Sequence, residues 1–312
     1  MRWLAEGSAA AVAGALREAA PELGGLPVVM AERVGQTDPR WWAGSAIIGG
    51  RFVAKFAWSQ IAARRLRHEI AVLAALASDP AIPFLPEVVA ASTDPLILVT
   101  RLVPGSSLFD VAGTIDRDRA GRQLARFLGA LHQPATRARV EAVAGELPGA
   151  HVPATTDVLR DRLGRWVRPD QRPVLDRWYD WADATLALAR PQVLVHADFH
   201  GDNQVWDHDQ LRLVLDFETA ASGEPEYELR VLPGPGMGPG GELLTATMRH
   251  YQELTGRRLD LDRLMAWHLR GALGDVLWRR EAGLPLADHR TPAQWVEDLA
   301  VRFGQLGIDP SG

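Results

Sequence analysis

Two short apolar runs that end in carboxylates constrain this chain more than any other feature. Val193-Leu194-Val195 gives way abruptly to His196-Ala197-Asp198-Phe199-His200-Gly201-Asp202-Asn203, and Leu211–Leu215 runs into Asp216-Phe217-Glu218. Both runs read as strands, so Asp198 starts a loop at one strand end, Asn203 returns from that loop, and Asp216 marks a second strand end. Two carboxylates and an amide brought together in this way can hold Mg²⁺ and orient a hydroxyl for attack on a phosphate. Taken singly, each is an ordinary turn former. The ordered set has no such plain explanation.

The rest of the chain divides near residue 100. Residues 8–20 read as an amphipathic helix, ended by Pro21 and Gly24-Gly25. Glu6 before its small apolar stretch and Arg17, Glu18 and Glu22 after it argue against an export leader. Strand-like runs follow at Leu26–Val34, Trp42–Ile48 and Arg51–Trp58, with Gly49-Gly50 as a hairpin signal. Ser59 caps a helix to about Ala77. Short strands at Glu87–Ala91 and Leu96–Leu102 complete a strand-rich first part. Beyond Pro104-Gly105 the pattern is mainly helical: Ala120–His132, Thr156–Gly164, Pro173–Ala189, and then about 241–255, 261–281 and 292–304. Pro233 to Gly241 reads as a flexible connector.

One basic residue stands apart. Of 34 Lys plus Arg, only Lys55 is lysine. Arg cannot replace Lys where a compact ammonium must fit a confined site. In Arg51–Trp58, alternation puts Val53, Lys55 and Ala57 on one face and Phe52, Ala54, Phe56 and Trp58 on the other. The first face suits a flat apolar ligand with a phosphate near the lysine. On the following helix, Ala62, Leu66, Leu73 and Leu76 form a core stripe, and Glu69 lies on it. A carboxylate there needs a partner, because an unpaired buried charge costs several kcal/mol. Lys55 is the obvious partner; Arg65 or solvent is the alternative.

Composition sets outer limits. The chain has 312 residues, 47% apolar and 23% charged, and a net charge of −5. That is ordinary for a globular protein and gives no basic footprint for nucleic acid. The absence of cysteine excludes disulfides, a thiolate zinc site and a cysteine nucleophile, and fits a cytoplasmic protein. No run approaches the ~18 apolar residues of a membrane span.

The sequence HADFHGDN followed by LDFE resembles the small-molecule kinases of the aminoglycoside phosphotransferase and choline kinase-like family. Their usual motif reads His-Gly-Asp-x-His-x-x-Asn, then Asp-Trp/Phe-Glu. Lys55 fits the family's phosphate-contacting lysine and Glu69 its helix partner. Leu98–Gly105 is similar to the hinge, and Leu124–His132 to the helix after it. The resemblance spans roughly residues 26–232. It implies an α+β, bilobal protein kinase-like fold with a small antiparallel-sheet N-lobe (1–100) and a larger, mainly helical C-lobe (101–312). It implies ATP or GTP as donor and Mg²⁺ as cofactor. Asp198 is then the catalytic residue that orients the substrate hydroxyl, and Asn203 and Asp216 hold the metal. Val53, Val99 and Arg101 join Lys55 and Glu69 around the nucleotide, while His196 and Glu228 support the catalytic loop.

The chain departs from the pattern in places. Ala197 replaces the usual Gly, a change that a backbone with negative φ tolerates. Asp202 stands where Gly is common. Glu228 takes the place of a bracing Asp. The N-lobe nucleotide loop is not glycine-rich, and Gly35-Gln36-Thr37-Asp38 is the candidate.

The partners expected are a nucleotide and a small hydroxyl-bearing substrate. Glu218, Glu224, Glu226 and Glu228 form an acidic run that can wall a cationic acceptor such as an amino-sugar; a solvated acidic loop explains it equally well. Trp267, with Trp278 and Trp295, can stack on a sugar ring, although packing between helices is the commoner use. Sugars, choline-like alcohols and homoserine-like amino acids are further candidate acceptors. A silent kinase-fold binding module and a protein kinase are also considered. The silent module is disfavoured by the presence of Lys55, Asp198 and Asp216, and the protein kinase by the lack of a recognisable activation segment. A zinc hydrolase built on His196, Asp198, His200 and Asp202 lacks a second His/Asp cluster elsewhere.

Overall fold

In the computed structural model, residues 2–31, 42–150, 154–233, 241–286 and 289–310 are described. Helix α1 (Ala9–Ala19) begins where the Ser8 hydroxyl accepts the Ala11 N–H and ends just before Pro21. Strands β1 (Val28–Met30), β2 (Ala43–Ile48) and β3 (Phe52–Ala57) come next. Gly49 and Gly50 join β2 to β3 with φ of 57° and 68°, a left-handed pair that favours glycine at both positions. The Ser59 hydroxyl caps α2 (Gln60–Leu76) at the Ala62 N–H. Strands β4 (Val88–Thr93) and β5 (Leu96–Arg101) complete an antiparallel sheet in the order β1-β2-β3-β5-β4.

This sheet separates two packed layers. Ala54, Phe56, Ile97 and Val99 pack with Val12 and Leu16 of α1 on one face. On the other, Ala57 and Leu98 join Leu66, Leu73 and Leu76 of α2. The same core runs on into the helical part. Ser106–Ser107 (β6) and Leu108–Val111 (α3) lead to α4 (Arg117–Leu131). The Asp116 carboxylate accepts the Asp118 and Arg119 N–H groups, so α4 starts three residues before the expected Ala120. Its predicted stripe of Leu124, Phe127, Leu128 and Leu131 is buried. Helix α5 (Pro134–Ala144) was not anticipated; it buries only Thr136 and Val140 and so carries little periodic signal.

Helices α6 (Thr156–Leu163) and α7 (Arg172–Leu186) precede β7 (Val193–Val195). The hairpin β8 (Gln204–Asp207) and β9 (Gln210–Val214) pairs with β6, while β10 (Ala221–Gly223) pairs with β7, all antiparallel. Helices α8 (Pro225–Leu229), α9 (Gly241–Thr255), α10 (Leu261–Glu281) and α11 (Pro292–Gln305) complete the chain. Among the described residues, no helix is long and apolar enough to cross a membrane. The candidate nucleotide loop Gly35-Gln36-Thr37-Asp38 and connector residues 234–240 lie outside the described residues.

Candidate active site

The site is built around Lys55. Strand β3 buries Ala54 and Phe56 under α1 and so turns Lys55 the other way. There Lys55 Nζ donates to Glu69 Oε1 and Oε2 at 2.7 and 3.0 Å and to Asp216 Oδ1 at 2.8 Å. Glu69 is only 1% exposed, as its place on the α2 stripe requires. One ammonium thus ties the sheet, α2 and the segment after β9 together. Burial pulls the Lys55 pKa down, but Glu69 and Asp216 outweigh it and raise the pKa above the ordinary lysine value. Asp216 itself has a φ of 69°, a left-handed conformation that Asp tolerates better than most residues.

The register of β5 corrects part of the nucleotide-side expectation. Lys55 pairs with Leu98 and Val53 with Thr100, so these four share the face turned toward α2. Val99 and Arg101 pair with Ala54 and Phe52 and point the opposite way. Val99 is fully buried in the α1 layer. Arg101 donates to Glu87 at 2.7 and 2.8 Å and lies over the Phe52 ring. A shift of one residue changes every side chain's face, and periodicity alone could not set that register. Thr100 is the polar residue that sequence reasoning missed there.

The loop from His196 to Asn203 is held mainly through its backbone. The buried His196 ring donates from Nε2 to the Leu215 carbonyl at 2.6 Å, linking the ends of β7 and β9. Its Nδ1 accepts the Asp198 N–H at 3.3 Å. Thr219, also missed, donates its hydroxyl to the His196 carbonyl at 3.1 Å. Glu228, 0% exposed, accepts the His196 and Ala197 N–H groups, the latter at 3.1 Å. Glutamate therefore reaches the loop from α8 in the place of the usual aspartate. The expectation of negative φ at Ala197 is wrong: its φ is 68°, a conformation that favours glycine because the Cβ crowds the backbone. The Asp202 position is accommodated in a 3-10 turn, Gly201–Asn203, with its N–H accepted by His200 Nδ1 at 3.2 Å.

Asp198 lies at the mouth of this loop. Burial favours its neutral acid, but His200, His196 and Arg230 outweigh that and hold the carboxyl below the usual aspartate value. The His200 ring stands 3.5 Å from Asp198 Oδ2. Asn203 donates Nδ2 to the Asp198 carbonyl at 2.8 Å, which leaves its Oδ1 as the remaining acceptor. The Asn203 carbonyl takes the Leu215 N–H at 2.8 Å and places Asn203 one residue from Asp216 in the pairing.

The acidic run is not an open wall. Glu224 is buried and receives Arg263 Nε and Nη2 at 2.6 and 2.7 Å and Trp267 Nε1 at 3.2 Å. Glu226 is buried and accepts the Asp260 N–H at 3.2 Å. With Glu228 committed to the loop, neither the wall nor the solvated loop is present: the run is wound into α8 with its partners supplied by α10 and the loop. Glu218 alone stays near Asp216, paired with Arg65 at 3.1 Å. Burial and Asp216 push its carboxyl up to about 7, against the pull of Arg65. Glu69, Asp216 and Glu218 offer oxygens within 4.8 Å of one another, the only such carboxylate or imidazole group among the described residues. The hydrolase cluster does not form, since the two nitrogens of His196 are engaged by the Leu215 carbonyl and the Asp198 N–H. Trp267 packs edge-on against Tyr227 at 5.3 Å beside Val193 and Val195. Trp278 lies further along α10, and Trp295 is buried beneath Arg290 and Arg302.

The chain covers 96% of its own length and 100% of an aminoglycoside 2'-phosphotransferase solved with GDP, at a TM-score of 0.71 and 17% identity. It matches a macrolide 2'-phosphotransferase of type I at 0.61 and 19% identity, covering 96% of this chain and 98% of that one. A macrolide 2'-phosphotransferase from Brachybacterium faecium matches at 0.58 and 22% identity, covering 94% and 97%. No curated protein matches. These likenesses show the kinase-like fold, with its antiparallel sheet first and its helical part second. The model of the phosphotransferase enzyme family matches residues 29–267, a span that holds Lys55, Glu69, Asp198, Asn203 and Asp216, and the chain belongs to that family.

Proposed function

We propose that this protein is a Mg²⁺-dependent kinase that moves the γ-phosphoryl group of ATP or GTP to a hydroxyl of a small molecule. The observation that carries the reading is the Lys55 ammonium held between Glu69 and Asp216 at 2.7 and 2.8 Å, beside a loop that presents Asp198. Residues 1–100 act as the nucleotide-holding lobe and 101–312 as the catalytic lobe. Lys55 positions phosphate oxygens, with Val53 and Thr100 on the same sheet face. Asp198, kept ionised, accepts a hydrogen bond from the acceptor hydroxyl and aims it along the line of attack.

The oxygen donors fit magnesium: the Asp216 carboxylate, the free Oδ1 of Asn203 and, close by, Glu218. Bound there, Mg²⁺ supplies neutralisation of the charge that develops on the transferring phosphoryl group. Known structures of similar fold include GDP, ADP and ATP complexes, which supports a nucleotide donor. A cytoplasmic location accords with such a donor.

For the acceptor we propose an aminoglycoside-like antibiotic or amino-sugar, in line with similar structures solved with kanamycin, streptomycin and gentamicin. Antibiotic resistance would be the corresponding role. A macrolide is the second reading, favoured by one observation: the burial of Glu224, Glu226 and Glu228 removes the acidic wall that a polycation would use. Nucleotide consumption measured against aminoglycosides, macrolides, sugars, choline and homoserine tests the proposal. Saturable turnover with an antibiotic class is expected. Nucleotide binding without turnover on any acceptor would make the protein a silent binding module.

A further inference from the structure

Asp198 can aim its carboxylate only if the peptide that enters it is fixed. One short helix grips that peptide. Glu228 of α8 accepts the Ala197 N–H at 3.1 Å, and Arg230, the C-cap residue of α8, donates Nη2 to the Ala197 carbonyl at 2.7 Å. That carbonyl and the Asp198 N–H belong to the same peptide unit, and the N–H is taken by His196 Nδ1 at 3.3 Å. The plane leading into Asp198 is therefore pinned on both sides.

The pin answers a specific need. Ala197 has a φ of 68°. For a residue with a Cβ this conformation costs ~1–2 kcal/mol and persists only where the surroundings over-determine it. Arg230 is itself held. Its Nη1 donates to the Tyr227 carbonyl at 2.9 Å, and its guanidinium lies 3.8 Å from the centre of the Tyr227 ring. Its carbonyl accepts His268 Nδ1 at 2.6 Å, and His268 Nε2 accepts Arg302 Nη1 at 2.9 Å. Arg302 pairs with Asp298, its neighbour on α11. A continuous polar line thus runs from α11 through α10 to the catalytic loop.

We propose that Arg230 is a positioning residue: it clamps the left-handed Ala197 peptide and thereby sets the direction of Asp198. The role in turnover rests on the kinase reading above; the clamp itself does not. Full-length Arg230→Gln tests both. With the antibiotic that the wild type turns over, kcat should fall on the order of 10- to 100-fold while nucleotide KM stays within about twofold, the signature of misplaced rather than lost binding groups. Adding Ala197→Gly should return about half of that loss on a logarithmic scale, because glycine holds the same φ without a clamp. Amide exchange at Ala197 and Asp198 should quicken about tenfold in Arg230→Gln, the local opening expected when one anchor is lost. Unchanged exchange would overturn the clamp. So would a kcat loss that tracks a general fall in melting temperature and is not recovered by Ala197→Gly. If the wild type is inactive on every acceptor while the exchange result holds, the kinase reading fails and the clamp stands.

Discussion

Glu69 and Glu224 are both buried carboxylates, each answered by a basic side chain from another element, yet their partners are left in different states. Lys55 keeps 28% of its side chain exposed and touches a second carboxylate, Asp216, at 2.8 Å. Arg263 keeps only 2% and spends its other N–H groups on the Thr185 and Leu188 carbonyls, both at 2.7 Å. The three donors of the ammonium are spent on the two carboxylates, yet the side chain itself stays open to solvent. The guanidinium of Arg263 is sealed inside the protein, bonded to Glu224 and to two backbone carbonyls. A buried pair whose cation is still reachable from solvent leaves room for a ligand to compete for it, whereas one whose cation is sealed ties helices together.

The largest effect should come from Asp198, the group proposed to meet the acceptor. Asp198→Asn is expected to lower kcat ~10²–10⁴-fold with nucleotide binding retained, read by turnover alongside nucleotide titration. Near wild-type turnover would remove Asp198 from its role. Next comes the open pair. Lys55→Met should abolish measurable turnover and, by stranding Glu69, cost about 3 kcal/mol of stability. Adding Glu69→Gln should recover most of that stability and none of the turnover. Denaturant melts and kinetics on the three proteins separate the two quantities, and recovered turnover in the double variant would reduce the pair to a scaffold contact.

The sealed pair should behave in the opposite way. Arg263→Met strands Glu224 and should cost about 3 kcal/mol, with kcat/KM only a few-fold changed well below the melting temperature. Glu224→Gln should leave acceptor KM within about twofold, since a group committed to Arg263 offers no uniform binding to the acceptor. A tenfold rise in acceptor KM at unchanged stability would return Glu224 to the acceptor wall and erase the contrast.

The open side was legible from single residues and the sealed side was not. A lone lysine among arginines and a glutamate on an apolar helix stripe each break a local rule, and the two breaks explain one another. The loop was legible as well, because polarity switches abruptly at His196 after a run of three apolar residues. Four glutamates within eleven residues look like a surface, because composition carries no information about the buried Arg263 that meets one of them 39 positions later. Arg230 follows Glu228-Leu229 with no motif of its own. The face of Val99 depended on a one-residue register in β5 that an almost wholly apolar strand does not specify. The positive φ of Ala197 was hidden for a related reason: alanine gives no sign of a left-handed site, whereas the glycine usual at that position would have.

The effect that is smallest near neutral pH concerns His268, which lies on the sealed side between Arg302 and the Arg230 carbonyl. Burial, reinforced by Arg302, pushes its imidazole down to about 3 from the ordinary 6.5. Above pH 6.5 the ring is neutral in both the folded and the unfolded chain, and its contribution does not vary with pH. Below that value the unfolded chain binds a proton that the folded chain refuses, so stability falls as pH falls, by about 1.4 kcal/mol per unit from this group. The loss ends near pH 3, where the folded state protonates too. His268→Gln keeps a donor for Arg230 and an acceptor for Arg302 but cannot titrate. Denaturant melts between pH 7 and 4 should therefore show the variant losing less stability than the wild type, with the difference growing as the solution is acidified. Carboxylates that titrate in the same range act on both proteins alike and cancel in that difference. Parallel pH profiles would mean that His268 is already open to solvent and that the sealed side is less closed than its contacts make it.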